Sequence, residues 1–167
     1  MNSSFDLNKS LWRGILFLLL INVVSFAQTH KPDFKKLSQD AEIIIIGKVI
    51  KTQSLWSDDK SNILTNVTIT VDEYLKGKSV SNNITITHLG GEIDGVGEIY
   101  SHHPNFSDHE DVLLFAKTDL DNKLVVLEGE KGKLLINNDR EDGEKTVGQN
   151  QRLITIKNQI KNYITEQ

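Results

Sequence analysis

The chain has 167 residues, 25% of them charged, with a net charge of −4 and no cysteine. The missing thiols exclude disulfides, thiolate metal sites and a lipoprotein anchor on cysteine. The acidic balance, with no cluster of Lys and Arg, disfavours nucleic acid and anionic membrane surfaces, because affinity for phosphate comes from clustered basic side chains.

Lys9 and Arg13 precede an apolar run from Ile15 to Val24, and Ser25-Phe26-Ala27 places small residues at −3 and −1 of a cut after Ala27. Residues 1–27 therefore read as a signal peptide. The fourteen residues from Gly14 to Ala27, Asn22 among them, fall short of the about 20 apolar residues a spanning helix needs, so no membrane span is expected after cleavage. The mature 140 residues suffice for one domain with a real core, carry a net charge of −5, and are expected to be secreted or periplasmic.

Asp33 to Asp40 reads as one or two helical turns, with Phe34, Leu37 and Ala41 on one face. The branched run Ile43-Ile44-Ile45-Ile46 starts a long strand, continuous in apolar character before Gly47 and alternating after it. A bulge at Gly47 would let a strand buried on both faces pass into one buried on a single face. Ser57 to Asn62 is a polar hairpin tip, after which Thr65, Val67, Ile69 and Val71 alternate towards a core. Lys76-Gly77-Lys78 breaks the chain, Ile84 to Thr87 is the next strand, and Gly90-Gly91 closes it. The stretch with Gly95 and Gly97 is strand or loop. Asp111–Lys117, Lys123–Glu128 and Lys133–Asn137 read as three more short strands. Residues 28–138 thus form one β domain, residues 139–150 are expected to be a polar linker, and 151–165 a C-terminal amphipathic helix with Leu153, Ile156 and Ile160 at helical spacing.

Among the groups that could carry chemistry, His88, His102, His103 and His109 stand out, with Asp108, Glu110 and Asp111 alongside. Imidazole with carboxylate oxygen suits zinc or another divalent ion, and a solvated turn accounts for the same residues. Adjacent histidines on an extended segment point to opposite faces, so His102 and His103 reach one ion only through a turn at Pro104. The aspartates at 58–59 and 119–121 lack the loop of an EF-hand and read as hairpin tips. Gly95-Val96-Gly97 is not a dinucleotide fingerprint, and neither a Gly-x-Ser-x-Gly elbow nor His-Glu-x-x-His occurs, so no cofactor and no enzymatic activity are expected. Trp56, Tyr100 and Phe106 are the aromatics expected at a binding surface, with rim packing as the alternative.

The segment Ala41 to Ile50, the polar hairpin after it, and Val67 to Leu75 ending in Lys76-Gly77 resemble the netrin-like module of the tissue inhibitors of metalloproteinases. The chain is also similar to exported bacterial domains in which Gly90-Gly91, the Pro104-x-Phe106 step and Val112-Leu113-Leu114-Phe115 have counterparts. The resemblance, over Leu37 to Ile136, implies an OB-like Greek-key β-barrel with five coiled strands. The animal inhibitors chelate the protease zinc through an amino-terminal cysteine; Gln28 stands at the expected mature terminus here, so that mechanism does not carry over. The expectation is a mostly β, OB-like barrel with a short N-terminal and a C-terminal helix, acting as a non-enzymatic binding module for a protein or glycan. A divalent-metal protein and a protease inhibitor are the alternatives.

Overall fold

A computed structural model describes residues 32–148 and 150–166, so the expected signal peptide lies outside the described residues. Helix α1 (Phe34–Asp40) starts at Asp33, whose Oδ1 accepts from the Lys36 N–H at 3.1 Å, satisfying a backbone donor that the first turn leaves unpaired. At its other end the Lys76 ammonium donates to the carbonyls of Ser38 and Gln39, both at 2.9 Å. A cation there pairs the last carbonyls and complements the helix dipole.

Strands β1 (Ile43–Trp56) and β2 (Ile63–Lys76) form a long antiparallel hairpin. Its register shifts at three points, one of them between Ile46 and Gly47. A Cβ on Gly47 would sit 2.4 Å from the Thr70 carbonyl oxygen, which explains a glycine at the expected bulge. Strand β3 (Asn83–Leu89) follows β2, and β4 (Gly91–Ile93) with β5 (Val96–Glu98) makes a separate small hairpin. Strand β6 (Asp111–Thr118) returns to the other side of β1, pairing Ile43 to Lys48 with Ala116 to Asp111. On its far edge β6 carries both β7 (Leu124–Val126) and β8 (Lys133–Asn138). Beyond β8 come β9 (Lys145–Val147) and β10 (Gln151–Arg152), and helix α2 (Leu153–Thr165) closes the chain.

The sheet buries both faces because β1 and β6 do. Ile44, Ile46, Leu113 and Phe115 pack against Leu37 of α1 and Leu153, Ile156 and Ile160 of α2. Ile45, Val49, Leu114 and Ala116 point the other way, into a second cluster with Val67, Ile69, Ile84 and Ile86 inside the curl of the sheet. Successive strand residues alternate faces, so four consecutive apolar residues serve two cores at once. The α2 stripe therefore packs on the sheet as its helical spacing predicts.

Two expectations are corrected. The sheet is mostly β and antiparallel, flanked by the two expected helices, but it is not closed into a barrel: its path runs β10-β9-β8-β6-β1-β2-β3, with no ladder between β3 and β7 among the described strands. The reason is local. β7 lasts three residues before Glu128 adopts a left-handed φ of 52° and a 3-10 turn over Gly129–Gly132 turns the chain away. Residues 139–150 are expected to be a linker, but residues 139–144 turn the chain from β8 into β9, forming a hairpin. Asp139 and Asp142 accept from the backbone N–H groups of Glu141 and Glu144, Arg152 clamps Asp142 through both carboxylate oxygens, and Thr146 and Val147 are buried. Polar side chains here supply the partners that a turn's backbone needs.

Candidate functional site

A cleft of about 400 Å³ lies where the β1–β2 hairpin, the β4–β5 hairpin and residues 99–106 meet. Its floor is Gly90-Gly91. Gly91 has φ of 139°, and a Cβ there would lie 2.4 Å from both Ser54 Oγ and Thr65 Oγ1, so only glycine fits. Those two hydroxyls bond to each other at 3.1 Å; Thr65 Oγ1 donates to the Gly90 carbonyl at 2.6 Å, and Ser54 Oγ accepts from the Glu92 N–H at 3.3 Å. The Glu98 carboxylate accepts from the Ile63 N–H (2.9 Å), and the single proton of the Tyr100 hydroxyl is shared between Asn62 Oδ1 (3.1 Å) and Glu98 Oε2 (3.3 Å). These bonds fix Tyr100 at the rim, where it is 36% exposed. Its burial, then the charge of Glu98, raises the hydroxyl pKa, so the phenol remains a donor.

The opposite wall is a stack of rings. His88 lies against Phe106 with centroids 6.0 Å apart, and against His103 at 6.3 Å; His103 meets Tyr100 edge-on at 5.9 Å. Lys133 Nζ sits 4.4 Å from the Phe106 centroid, a cation–π contact, and its charge is balanced by Glu110 at 2.5 Å. A second cavity of about 520 Å³, between the end of β3 and β7, shares His88, Leu89, His103 and Pro104 with the cleft, so these residues form the ridge between the two.

The sequence-predicted residues separate accordingly. Tyr100 and Phe106 line the cleft, whereas Trp56, 37% exposed at the end of β1, lines neither cavity. Phe106 is engaged by Lys133 and His88 rather than open to a ligand. Of the histidines, His88 and His103 come together, His102 lines the second cavity with them, and His109 lines neither. The His109 backbone N–H instead donates to the Val49 carbonyl at 2.8 Å, continuing the edge of β1. Among the described residues no group of three or more His, Asp or Glu side chains is placed to hold a metal ion. Thr52, Ser54, Glu92 and Glu98 also line the site, where the sequence carries no signal for them, and Thr65 reads from the sequence only as a core-facing position of an alternating strand.

His88 carries a pH signature. Its burial lowers its pKa from the usual 6.5, against the hydrogen bond of Nδ1 to the Leu89 carbonyl (2.8 Å), and the charges of His103 and Lys133 push the same way as burial. The folded protein thus holds His88 neutral, and unfolding takes up a proton as pH falls. The associated stability is complete above the unfolded pKa near 6.5 and is lost as pH drops towards the folded value. Urea unfolding at about pH 7.5 and about pH 5.5 will show a smaller midpoint shift for His88→Gln than for the natural protein. Equal shifts in both would assign the pH dependence to other groups.

Comparison with protein-family models and with curated proteins finds no match to this chain. Among the described residues no helix is long and apolar enough to cross a membrane.

Proposed function

We propose that this protein is an exported, non-enzymatic binding module that uses the cleft over Gly90-Gly91 to contact a partner outside the cytoplasm. The observation that carries this reading is the built character of the cleft: a glycine floor, a rim tyrosine whose hydroxyl proton is shared between Asn62 and Glu98, and a ring-stacked wall, brought together by the β1–β2 and β4–β5 hairpins, β3 and residues 99–106. Sites of this kind, concave and lined by rings with a few placed polar groups, are where ligands bind. The hydroxyl of Ser54 is engaged with Thr65 and the Glu92 backbone, an arrangement of packing rather than of nucleophile and base.

An OB-like, netrin-like descent is part of the same proposal. In its favour are the meander β1-β2-β3, the return of β6 to the free side of β1, and the bulged, coiled β1. The export reading rests on residues 1–27. The divalent-metal alternative is the weaker proposal, because His109 stands apart from the other three histidines, and the protease-inhibitor alternative rests on the resemblance alone.

The test uses full-length protein in which Tyr100, on the rim of the cleft, is replaced by alanine. Phe106 is left in place because it packs under Lys133. Partners cross-linked and recovered from the cell envelope with the natural protein are expected to fall about tenfold or more with the Tyr100→Ala variant, while its thermal melt is unchanged, since an exposed aromatic at an interface centre carries much of the binding energy. Undiminished recovery would overturn the assignment of this surface.

A further inference from the structure

We infer that the cleft recognises a cation, the ammonium or guanidinium of a lysine or arginine side chain on a protein partner. The inference rests on the binding reading above and deepens it by naming the chemistry recognised. Two carboxylates, Glu92 and Glu98, line the cleft, and no lysine or arginine is among its described lining residues. The nearby ammonium of Lys133 is paired with Glu110 behind Phe106. Glu98 is held in place by the Ile63 N–H and the Tyr100 hydroxyl, so its charge is preorganised next to the tyrosine ring. Glu92 is exposed, its backbone is anchored to Ser54 Oγ, and its carboxylate has no hydrogen bond or ion pair among the described residues.

The floor favours an extended side chain. With no Cβ at Gly90 or Gly91, the space beside Tyr100 stays open: a Cβ on Gly90 would lie 3.4 Å from Tyr100 Cδ2 and 2.8 Å from the Glu98 carbonyl oxygen. An aliphatic stem can lie over this glycine floor while its charged head reaches ring and carboxylates, the division of labour that Lys and Arg side chains use elsewhere. A cation beside an aromatic ring gains from the ring quadrupole, and the net charge of −5 of the mature chain adds attraction at longer range. Phosphate, sulfate and uronate groups would meet two carboxylates without a countercharge. A neutral sugar needs a broad uncovered ring, and Phe106 is already engaged by Lys133 and His88.

The test follows the backbone amides of Gly90, Gly91 and Tyr100 by NMR in the full-length protein during titration with N-acetyl-lysine amide, N-acetyl-norleucine amide and N-acetylglucosamine. The expected result is saturable shifts at these amides with the lysine derivative, binding at least about threefold weaker with the uncharged norleucine derivative, and a further loss of about threefold to tenfold for lysine binding in Glu92→Gln. Glu92 is exposed, so its replacement leaves folding intact. Equal binding of the lysine and norleucine derivatives, no effect of Glu92→Gln, or shifts with none of the three probes would overturn the cation assignment. Shifts with the sugar alone would overturn it while leaving the cleft a binding site, and the Tyr100→Ala capture experiment judges that broader reading independently.

Discussion

Replacing Phe115 by alanine is expected to lower the unfolding free energy by about 3–5 kcal/mol, the range for deleting a fully buried aromatic ring. Phe115 is 0% exposed, and its ring lies 6.2 Å from that of Phe34. It packs with Leu37, Ile156 and Ile160, so truncation opens a void where sheet, α1 and α2 meet. Those three neighbours come from two helices far apart in sequence that pack together over the ring, so neither helix can close the gap without leaving its other contacts. Leu114→Ala, one residue away but facing the inside of the curl, is expected to lose about 2–5 kcal/mol from the other cluster. Urea unfolding followed by tryptophan fluorescence and by circular dichroism will give coincident transitions for both variants if the two clusters form one cooperative unit. Against a typical total of about 5–15 kcal/mol, either loss leaves a folded but marginal protein. A Phe115→Ala variant within 1 kcal/mol of the natural protein would mean that the helices do not depend on this ring.

The two-sided burial behind that expectation is visible in the residues themselves. Four branched residues before Gly47 and the run Val112 to Phe115 have no polar face, so each strand must be covered on both sides, and the Leu153, Ile156, Ile160 stripe supplies one of the covers. Such patterns are local and survive in one dimension. The openness of the sheet is not of that kind, because it turns on Glu128 taking a left-handed conformation in a stretch whose composition still suits a strand. The β8–β9 turn at 139–144 hides for a related reason: aspartates that bond to the backbone of their own turn look the same in sequence as solvated linker residues. The site divides along the same line. Tyr100, Phe106 and the histidines attract notice by residue type, whereas Ser54 and Thr65 become part of the floor only because β1 pairs with β2 and places Gly91 against both hydroxyls. Trp56 and His109 have the right chemistry but line neither cavity.

Lys133→Ala is expected to lower stability by about 3 kcal/mol, a value at the lower end of what breaking a buried ion pair costs. The Lys133 side chain is 8% exposed and that of Glu110 16%. Glu110 Oε1 is buried, with the ammonium as its partner among the described residues, so removing the lysine strands a desolvated carboxylate oxygen. The same ammonium donates to the Asn105 carbonyl and lies over the Phe106 ring. Three residues of one loop, 105, 106 and 110, therefore converge on a single cation from β8, and the loop carries the wall of the cleft. Hydrogen exchange is expected to accelerate at residues 105–110 in the variant and to stay unchanged in β1 and β2, because local opening reports the loss of local contacts. Replacing both partners, as Lys133→Met with Glu110→Gln, removes the stranded charge and is expected to recover most of the lost stability, since a buried pair exchanged for neutral groups of similar size is often close to neutral. If the single variant loses less than about 0.5 kcal/mol, the pair behaves like an exposed salt bridge, and the wall of the cleft must be held by the His88–Phe106 stack instead.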